Sequence, residues 1–113
     1  MAAKANLKID QGSDYATSIT LTDDEGNPVY LGSYTGKAQI RKYYTSTTAV
    51  DFDVDIEANT GTVTLILEAN TSNNMEFGRY VYDVELTDGN NGLISRVLEG
   101  IVTIKPGVTR ENG

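Results

Sequence analysis

Three aspartates alternate with apolar residues in the segment Val50–Ile56, at Asp51, Asp53 and Asp55. Carboxylate oxygens suit Ca²⁺, and this spacing is that of the first half of an EF-hand loop. The glycine and the distal glutamate that complete such a loop do not follow. On a strand, alternate side chains form a row rather than a cage, so we favour a solvated sheet face and predict no metal site.

Two further acidic segments carry residues that could hold a hard cation. They are Asp23-Asp24-Glu25-Gly26-Asn27 and Asp88-Gly89-Asn90. Both are also rich in turn formers, because glycine supplies positive φ and Asp or Asn side chains bond the local backbone. An ordinary acidic turn is the favoured interpretation of each segment.

The chain has seven tyrosines, whose exposed rings could stack on sugars or anchor a protein interface. Tyr15, Tyr80 and Tyr82 fall on apolar strand faces and are predicted to be core residues. The candidates for a functional cluster are Tyr43 and Tyr44 together with Tyr34. Packing of these three at the rim of the fold is the favoured alternative.

Residues for catalysis are scarce. The chain has no Cys and no His, which excludes thiolate chemistry, disulfides and a Ser-His-Asp triad. No phosphate-binding glycine motif occurs. Glu99, three residues after Arg96, interrupts an apolar strand and predicts either a buried or interface ion pair or a surface charge that protects an edge strand. We therefore expect no enzyme, and predict no catalytic residue and no cofactor.

The elements that must position these residues are short alternating segments separated by turn signals. Val50–Ile56 and Arg79–Leu86 are the clearest, and no long helical pattern follows any of them. The pattern predicts an all-β fold, an immunoglobulin-like antiparallel β-sandwich of seven to eight strands without a disulfide. We expect a single domain over residues 1–113, with short flexible arms at 1–5 and 106–113.

Several local features are predicted within this fold. Residues 37–44 and 50–56 are expected to form a hairpin, with Lys37 and Arg41 opposite the three aspartates. A short strand or edge piece is expected at 29–31, a helical turn within 69–77 and a tight hairpin at 88–92. The alternation of the last strand changes near Glu99-Gly100, which predicts a bulge there.

The formal net charge of −7 limits the partners. Nucleic-acid binding needs a basic surface, and an anionic membrane attracts clusters of Lys and Arg, so we expect neither partner. No apolar stretch typical of a secretory signal or a membrane span is present, and we expect neither.

Four strings resemble one family when they are taken together. They are Ile19-Thr20-Leu21-Thr22-Asp23-Asp24-Glu25-Gly26-Asn27-Pro28 followed by Leu31-Gly32, then Gly61-Thr62-Val63-Thr64-Leu65, Gly78-Arg79-Tyr80-Val81-Tyr82-Asp83-Val84-Glu85-Leu86, and Arg96-Val97-Leu98-Glu99-Gly100-Ile101-Val102-Thr103-Ile104. The chain, from about Leu7 to Arg110, resembles small β-sandwich virion structural proteins of tailed bacteriophages. It is similar to the cyanophage type and to the N-terminal domain of baseplate upper proteins.

The resemblance implies a non-enzymatic virion structural protein of the tail, baseplate or fibre-attachment apparatus, working through protein–protein contacts. A capsid decoration (cement) protein is the alternative within that class, and a host-glycan-binding module is the alternative from another class. The implied partners are other virion proteins and copies of the chain itself. The implied location is the virion, assembled in the host cytoplasm.

Overall fold

The fold is almost entirely β-structure in a computed structural model that describes residues 3–43, 46 and 49–107. The all-β prediction is therefore confirmed. The elements are β1 Ala3–Lys4, β2 Leu7–Asp10, β3 Tyr15–Thr20, β4 Tyr34–Arg41, β5 Val50–Glu57, β6 Thr62–Leu67, α1 Ala69–Asn73, β7 Gly78–Asp88 and β8 Ile94–Lys105. The helical turn predicted within 69–77 corresponds to α1. Within the described ranges, no helix has the length and apolar character needed to cross a membrane.

The strands form one curled sheet in the order β1-β8-β7-β4-β5-β6-β3, with β2 also paired to β8. Strand β5 produces the curl because it changes partner along its length. Its first residues, Val50–Phe52, pair with β4, whereas Asp53–Glu57 pair with β6. A strand shared in this way folds the sheet back so that its inner faces enclose a common core.

The predicted hairpin of β4 and β5 is confirmed, but the predicted charge pairing is wrong. Asp51 lies opposite Gln39, whereas Lys37 and Arg41 are paired across the other side of β4 with Glu85 and Val81 of β7. The reason is that β5 leaves β4 after three paired residues and carries its later aspartates to β6.

The sheet is mixed rather than wholly antiparallel as predicted. Both β1 and β2 run parallel to β8 in one continuous register, interrupted at Ala5 and Asn6. The backbone N–H of Ala5 donates to Glu99 O at 3.0 Å, and Asn6 Oδ1 accepts from the backbone N–H of Ile101 at 3.1 Å. A Cβ atom at Gly100 would collide with the carbonyl oxygen of Ala5, so glycine permits this close approach.

The core lies between the curled halves of the sheet. In β7, Tyr82, Val84 and Leu86 are buried while the residues between them are more exposed. This period of two is what a strand with one dry face requires. The buried apolar residues are Leu7, Ile9, Leu31, Ala38, Ile40, Phe52, Val63, Leu65, Leu67, Met75, Tyr82, Val84, Leu86, Leu98, Val102 and Ile104.

The bulge in β8 lies earlier than predicted. The register shifts opposite Val84 and Glu85, where Leu98 pairs with Val84 and Arg96 pairs with Glu85, so Val97 is the extra residue. From Leu98 to Ile104 the even-numbered positions face inward without a break. Gly100 also faces inward, so it does not mark the bulge. Its role is to permit the close contact with Ala5.

A corner between β2 and β3 is fastened to α1. The buried hydroxyl of Ser72 accepts a hydrogen bond from the backbone N–H of Gly12 at 3.0 Å. Asp14 Oδ1 accepts one from the backbone N–H of Ala69 at 2.8 Å, at the start of the helix. These bonds explain how a five-residue helix, too short to be stable alone, keeps its position.

The remaining predictions concern chain segments outside the regular strands. The short strand expected at 29–31 is wrong, because the structure has only an isolated bridge between Thr22 and Pro28, and Leu31 is buried as a loop residue. Within the arm predicted at 1–5, residues 3–5 bond β8, and residues 1 and 2 lie outside the described residues. Of the arm predicted at 106–113, residues 108–113 also lie outside the described residues.

Candidate functional site

The candidate site is a polar row that crosses the outer face of the sheet. Four adjacent strands each contribute one residue, because Asp51 pairs with Gln39, Gln39 with Asp83, and Asp83 with Glu99. Directly paired residues point to the same face of a sheet, with neighbouring strands about 4.8 Å apart. We call Asp51, Gln39, Asp83 and Glu99 the polar row.

Two arginines hold the polar row in place. Arg96 Nε lies 3.2 Å from Asp83 Oδ2, and Arg96 Nη1 lies 3.6 Å from Glu99 Oε1. Arg41 Nη2 donates to Gln39 Oε1 at 3.0 Å, and Gln39 Nε2 donates to Asp51 Oδ1 at 2.9 Å. On this face, hydrogen bonds link Arg41, Gln39 and Asp51, and Arg96 is paired with both Asp83 and Glu99.

The bulge at Val97 is what places Arg96 and Glu99 on the same face. Residues three apart on a regular strand point to opposite sides of a sheet. The extra residue reverses the alternation between them, so Arg96 reaches both Asp83 and Glu99. Sequence reasoning singled out Arg96 and Glu99, but it placed the bulge after them and missed Asp83 and Gln39.

An apolar row lies beside the polar row. Val81 pairs with Ile101, one step along the same face, and Ile101 is 36% exposed. The charged side chains nearby are also accessible, with 53% of Arg96, 36% of Asp83 and 32% of Glu99 exposed. The surface between them is an open depression lined by residues of β4, β7 and β8. A ligand could touch apolar and hydrogen-bonding groups there at the same time.

The other predicted acidic sites remain ordinary surface features. Asp53 and Asp55 are exposed on β5 in the expected row with Asp51. Asp23 Oδ1 accepts hydrogen bonds from the backbone N–H groups of Glu25 and Asn27, at 2.9 and 3.0 Å. That geometry is an Asx turn, which confirms the turn interpretation of this segment.

The hairpin at 88–92 has the same character as the Asp23 turn. Asp88 Oδ1 accepts a hydrogen bond from the backbone N–H of Asn90 at 2.9 Å, and Gly92 has a φ of 73°. In the described part of the chain, no three acidic side chains converge as metal ligands would.

The tyrosines considered for a functional cluster, with rim packing as the favoured alternative, are not brought together where the structure describes them. Tyr34 begins β4 and packs against the core, whereas Tyr43 follows the end of that strand and is 66% exposed. Eight residues of strand span about 27 Å, so the two rings lie at opposite ends of the fold. Tyr44 lies outside the described residues.

The three tyrosines predicted as core residues do contact the core. Tyr82 is buried, and Tyr15 and Tyr80 pack against it. Burial, and secondarily the nearby Tyr15, raises the pKa of the Tyr82 phenol to about 12. Burial is also the main cause that raises the pKa of Tyr80, whose hydroxyl donates to Glu76 O at 2.8 Å. Both phenols are held protonated as structural hydrogen-bond donors.

Comparison with known proteins does not assign the chain to a family. No family model matches the chain, and no curated protein matches it. A solved structure of a family 123 glycoside hydrolase from Clostridium perfringens, described as a study of glycolipid glycan hydrolysis, is similar with a TM-score of 0.43 and 11% sequence identity. The likeness covers 95% of this chain and 24% of that one, and at this level it carries no conclusion about activity.

The predicted virion role is wrong and is withdrawn. The comparisons give it no support: no family model and no curated protein matches the chain, and the similar solved structure named above is described as a glycoside hydrolase. The strings behind the prediction follow the alternation of strands, for example Gly78–Leu86 within β7, and a sheet with one face exposed to solvent requires that alternation. They specify an architecture that many unrelated functions share.

Proposed function

We propose that the chain is a non-enzymatic binding module that holds an uncharged saccharide on the outer face of β4, β7 and β8. The observation that carries the proposal is the polar row lying directly beside the apolar row on an exposed face. A sugar ring carries hydroxyl groups at its rim, which donate and accept hydrogen bonds, and C–H groups on its faces. It therefore uses both rows at once.

The charges on this face favour a neutral ligand. Arg41 and Arg96 are offset by the carboxylates of Asp51, Asp83 and Glu99, so the face has no strong excess of either sign. The chain as a whole carries −7, which repels polyanions such as acidic polysaccharides. A ligand that offers hydroxyl groups and no charge fits this surface.

The same face is poorly suited to glycoside hydrolysis. That reaction needs a pair of carboxyl groups in different surroundings, one kept protonated as the acid. Asp83 and Glu99 instead share the guanidinium of Arg96 and are both about one-third exposed. An open face of this kind binds weakly, with an expected Kd on the order of 1 mM for a single sugar.

A titration of the labelled protein with neutral mono- and oligosaccharides, followed by amide chemical shifts, tests this proposal. Shifts should concentrate at Gln39, Asp83 and Glu99. Glu99→Gln should weaken binding about tenfold, because a charge-assisted acceptor is lost. Asp55→Asn is the matched control, an acid-to-amide change on the exposed side of β5, and should leave the Kd unchanged.

Three outcomes would contradict the proposal. The first is that no saccharide perturbs the polar row at concentrations of about 10 mM, well above the expected Kd. The second is that the Asp55 variant loses as much affinity as the Glu99 variant. The third is release of new reducing ends from a bound oligosaccharide, which would contradict the non-enzymatic part.

A further inference from the structure

Strand β3 stands at one end of the sheet order, with β6 on one side. Its six residues pair with β6 from Tyr15 opposite Leu67 to Thr20 opposite Thr62. Within the described ranges, no strand pairs with its other side. Backbone N–H and C=O groups on that side are available to another strand.

The edge of β3 lacks the features that usually prevent pairing. Natural edge strands are protected by charged side chains, proline or bulges. The strand reads Tyr-Ala-Thr-Ser-Ile-Thr, and its uncharged run extends from Tyr15 to Thr22, between Asp14 and Asp23. At the other end of the sheet, β1 and β2 carry Lys4, Lys8 and Asp10.

The inner face of β3 is incompletely covered. Tyr15, Thr17 and Ile19 face the core side but are only partly buried. Their direct partners on β6, Leu67, Leu65 and Val63, are fully buried. The core is therefore partly exposed to water at this edge. A strand that paired with β3 would bury this apolar surface with its own side chains.

We propose that two copies of this chain associate edge to edge through antiparallel pairing of their β3 strands. A two-fold axis perpendicular to the sheet places residues of the same face opposite each other, so the partly exposed Thr17 and Ile19 of one copy lie opposite inner-face residues of the other. Molecules that carry −7 repel one another, and the uncharged strip of β3 lets two backbones approach without opposing like charges. Each copy offers the same free backbone edge and the same partly uncovered inner face, and one two-fold contact pairs both with their counterparts, so a second copy is the occupant we assign.

This association is independent of the proposed saccharide site. The polar row lies on β5, β4, β7 and β8, so pairing through β3 leaves it uncovered. Oligomeric state can be measured without any ligand. Failure of one proposal therefore does not decide the other.

Sedimentation equilibrium of the full chain, from about 10 µM to 1 mM, tests the association. The protein should shift from monomer to dimer within this range. Ala16→Lys, on the exposed side of β3, should raise the dimer Kd at least about tenfold, since each dimer acquires two unfavourable charges at the edge. Thr35→Lys adds the same charge at an exposed position of β4 and should leave the Kd unchanged.

A chain that ends at Gly107 tests whether the carboxyl-terminal segment covers β3 instead. It should dimerise as the full chain does. The proposal is overturned if the full chain stays monomeric at 1 mM, or if Thr35→Lys abolishes the dimer and Ala16→Lys does not. It is also overturned if only the shortened chain dimerises, or if association continues beyond the dimer. Far-ultraviolet circular dichroism of each variant checks that the fold is retained.

Discussion

At one end of the sheet, β2 buries Leu7 and Ile9 and turns the charged Lys8 and Asp10 to solvent. At the other end, β3 alternates in the same way, but Ile19 on its inner side is only partly buried and its outer side has no charge. Similar strands thus end the sheet in different ways. The comparison teaches that alternation alone sets which face is dry, while the partners beyond the strand decide how well that face is covered.

The largest expected effect comes from the same substitution at each end. Ile9→Ala should cost about 2–5 kcal/mol of unfolding free energy, because it opens a cavity at a fully buried site. Ile19→Ala should cost about 1–2 kcal/mol, since its side chain already has partial access to water. Urea unfolding at low protein concentration measures both, and equal costs would show that the two ends are covered alike.

The dependence of the unfolding free energy on pH tests the attachment of β2 through Tyr82. The hydroxyl of Tyr82 donates a hydrogen bond to the carbonyl of Ala5 at 2.6 Å and so anchors the start of β2. Its pKa rises from 10.0 in the unfolded chain to about 12 in the fold. Between these values the unfolded phenol has lost its proton while the folded one keeps it, so stability falls as pH rises. The loss should reach about 2–3 kcal/mol near pH 12 and be absent below pH 10.

Tyr82→Phe isolates this contribution from other groups that titrate in the same range. The variant should be about 1 kcal/mol less stable at neutral pH, because the hydrogen bond to Ala5 is lost. Its unfolding free energy should then fall less steeply than that of the wild type between pH 10 and 12. Parallel curves for the two proteins would contradict the role given to this hydroxyl.

The smallest effect is expected from Gly32→Ala, which serves as the control for a methyl group at the β1–β2 interruption. Gly100→Ala places a Cβ against the backbone of Ala5 and should cost about 1–3 kcal/mol. Gly32→Ala places one against the ring of Tyr30, which is 69% exposed and free to turn away, so the cost should be under about 0.5 kcal/mol. Thermal unfolding compares the two, and a tolerated alanine at position 100 would contradict the close contact.

Much of the fold could be predicted from the sequence because alternation with period two is a local signal. Val50–Ile56 and Arg79–Leu86 gave their strands and inward faces correctly. The parallel pairing of β1 and β2 with β8 could not be predicted, since it joins residues about 95 positions apart and leaves no local pattern. The change of partner along β5 could not be predicted either. It determines that Asp53 and Asp55 lie opposite residues of β6 rather than opposite the cations of β4.

The candidate site was only partly predictable for the same reason. Arg96 and Glu99 stood out because charges interrupt an apolar strand. The contacts of Arg96 with Asp83 and Glu99 depend on a bulge whose position is set by pairing with Val84 and Glu85, not by the glycine that follows. Function was predicted wrongly because strand–turn strings describe architecture, whereas ligands are recognised by groups that three or four strands bring together.

Residue-resolved amide hydrogen exchange at two protein concentrations tests most directly whether β3, and not β2, is an edge that pairs with a second copy. On raising the concentration through the dimer range, alternate amides of β3 should gain protection, because their N–H groups bond a second copy. Amides of Lys8 and its neighbours in β2 should exchange at the same rate in both samples. Protection gained in β2, or in neither strand, would contradict the account.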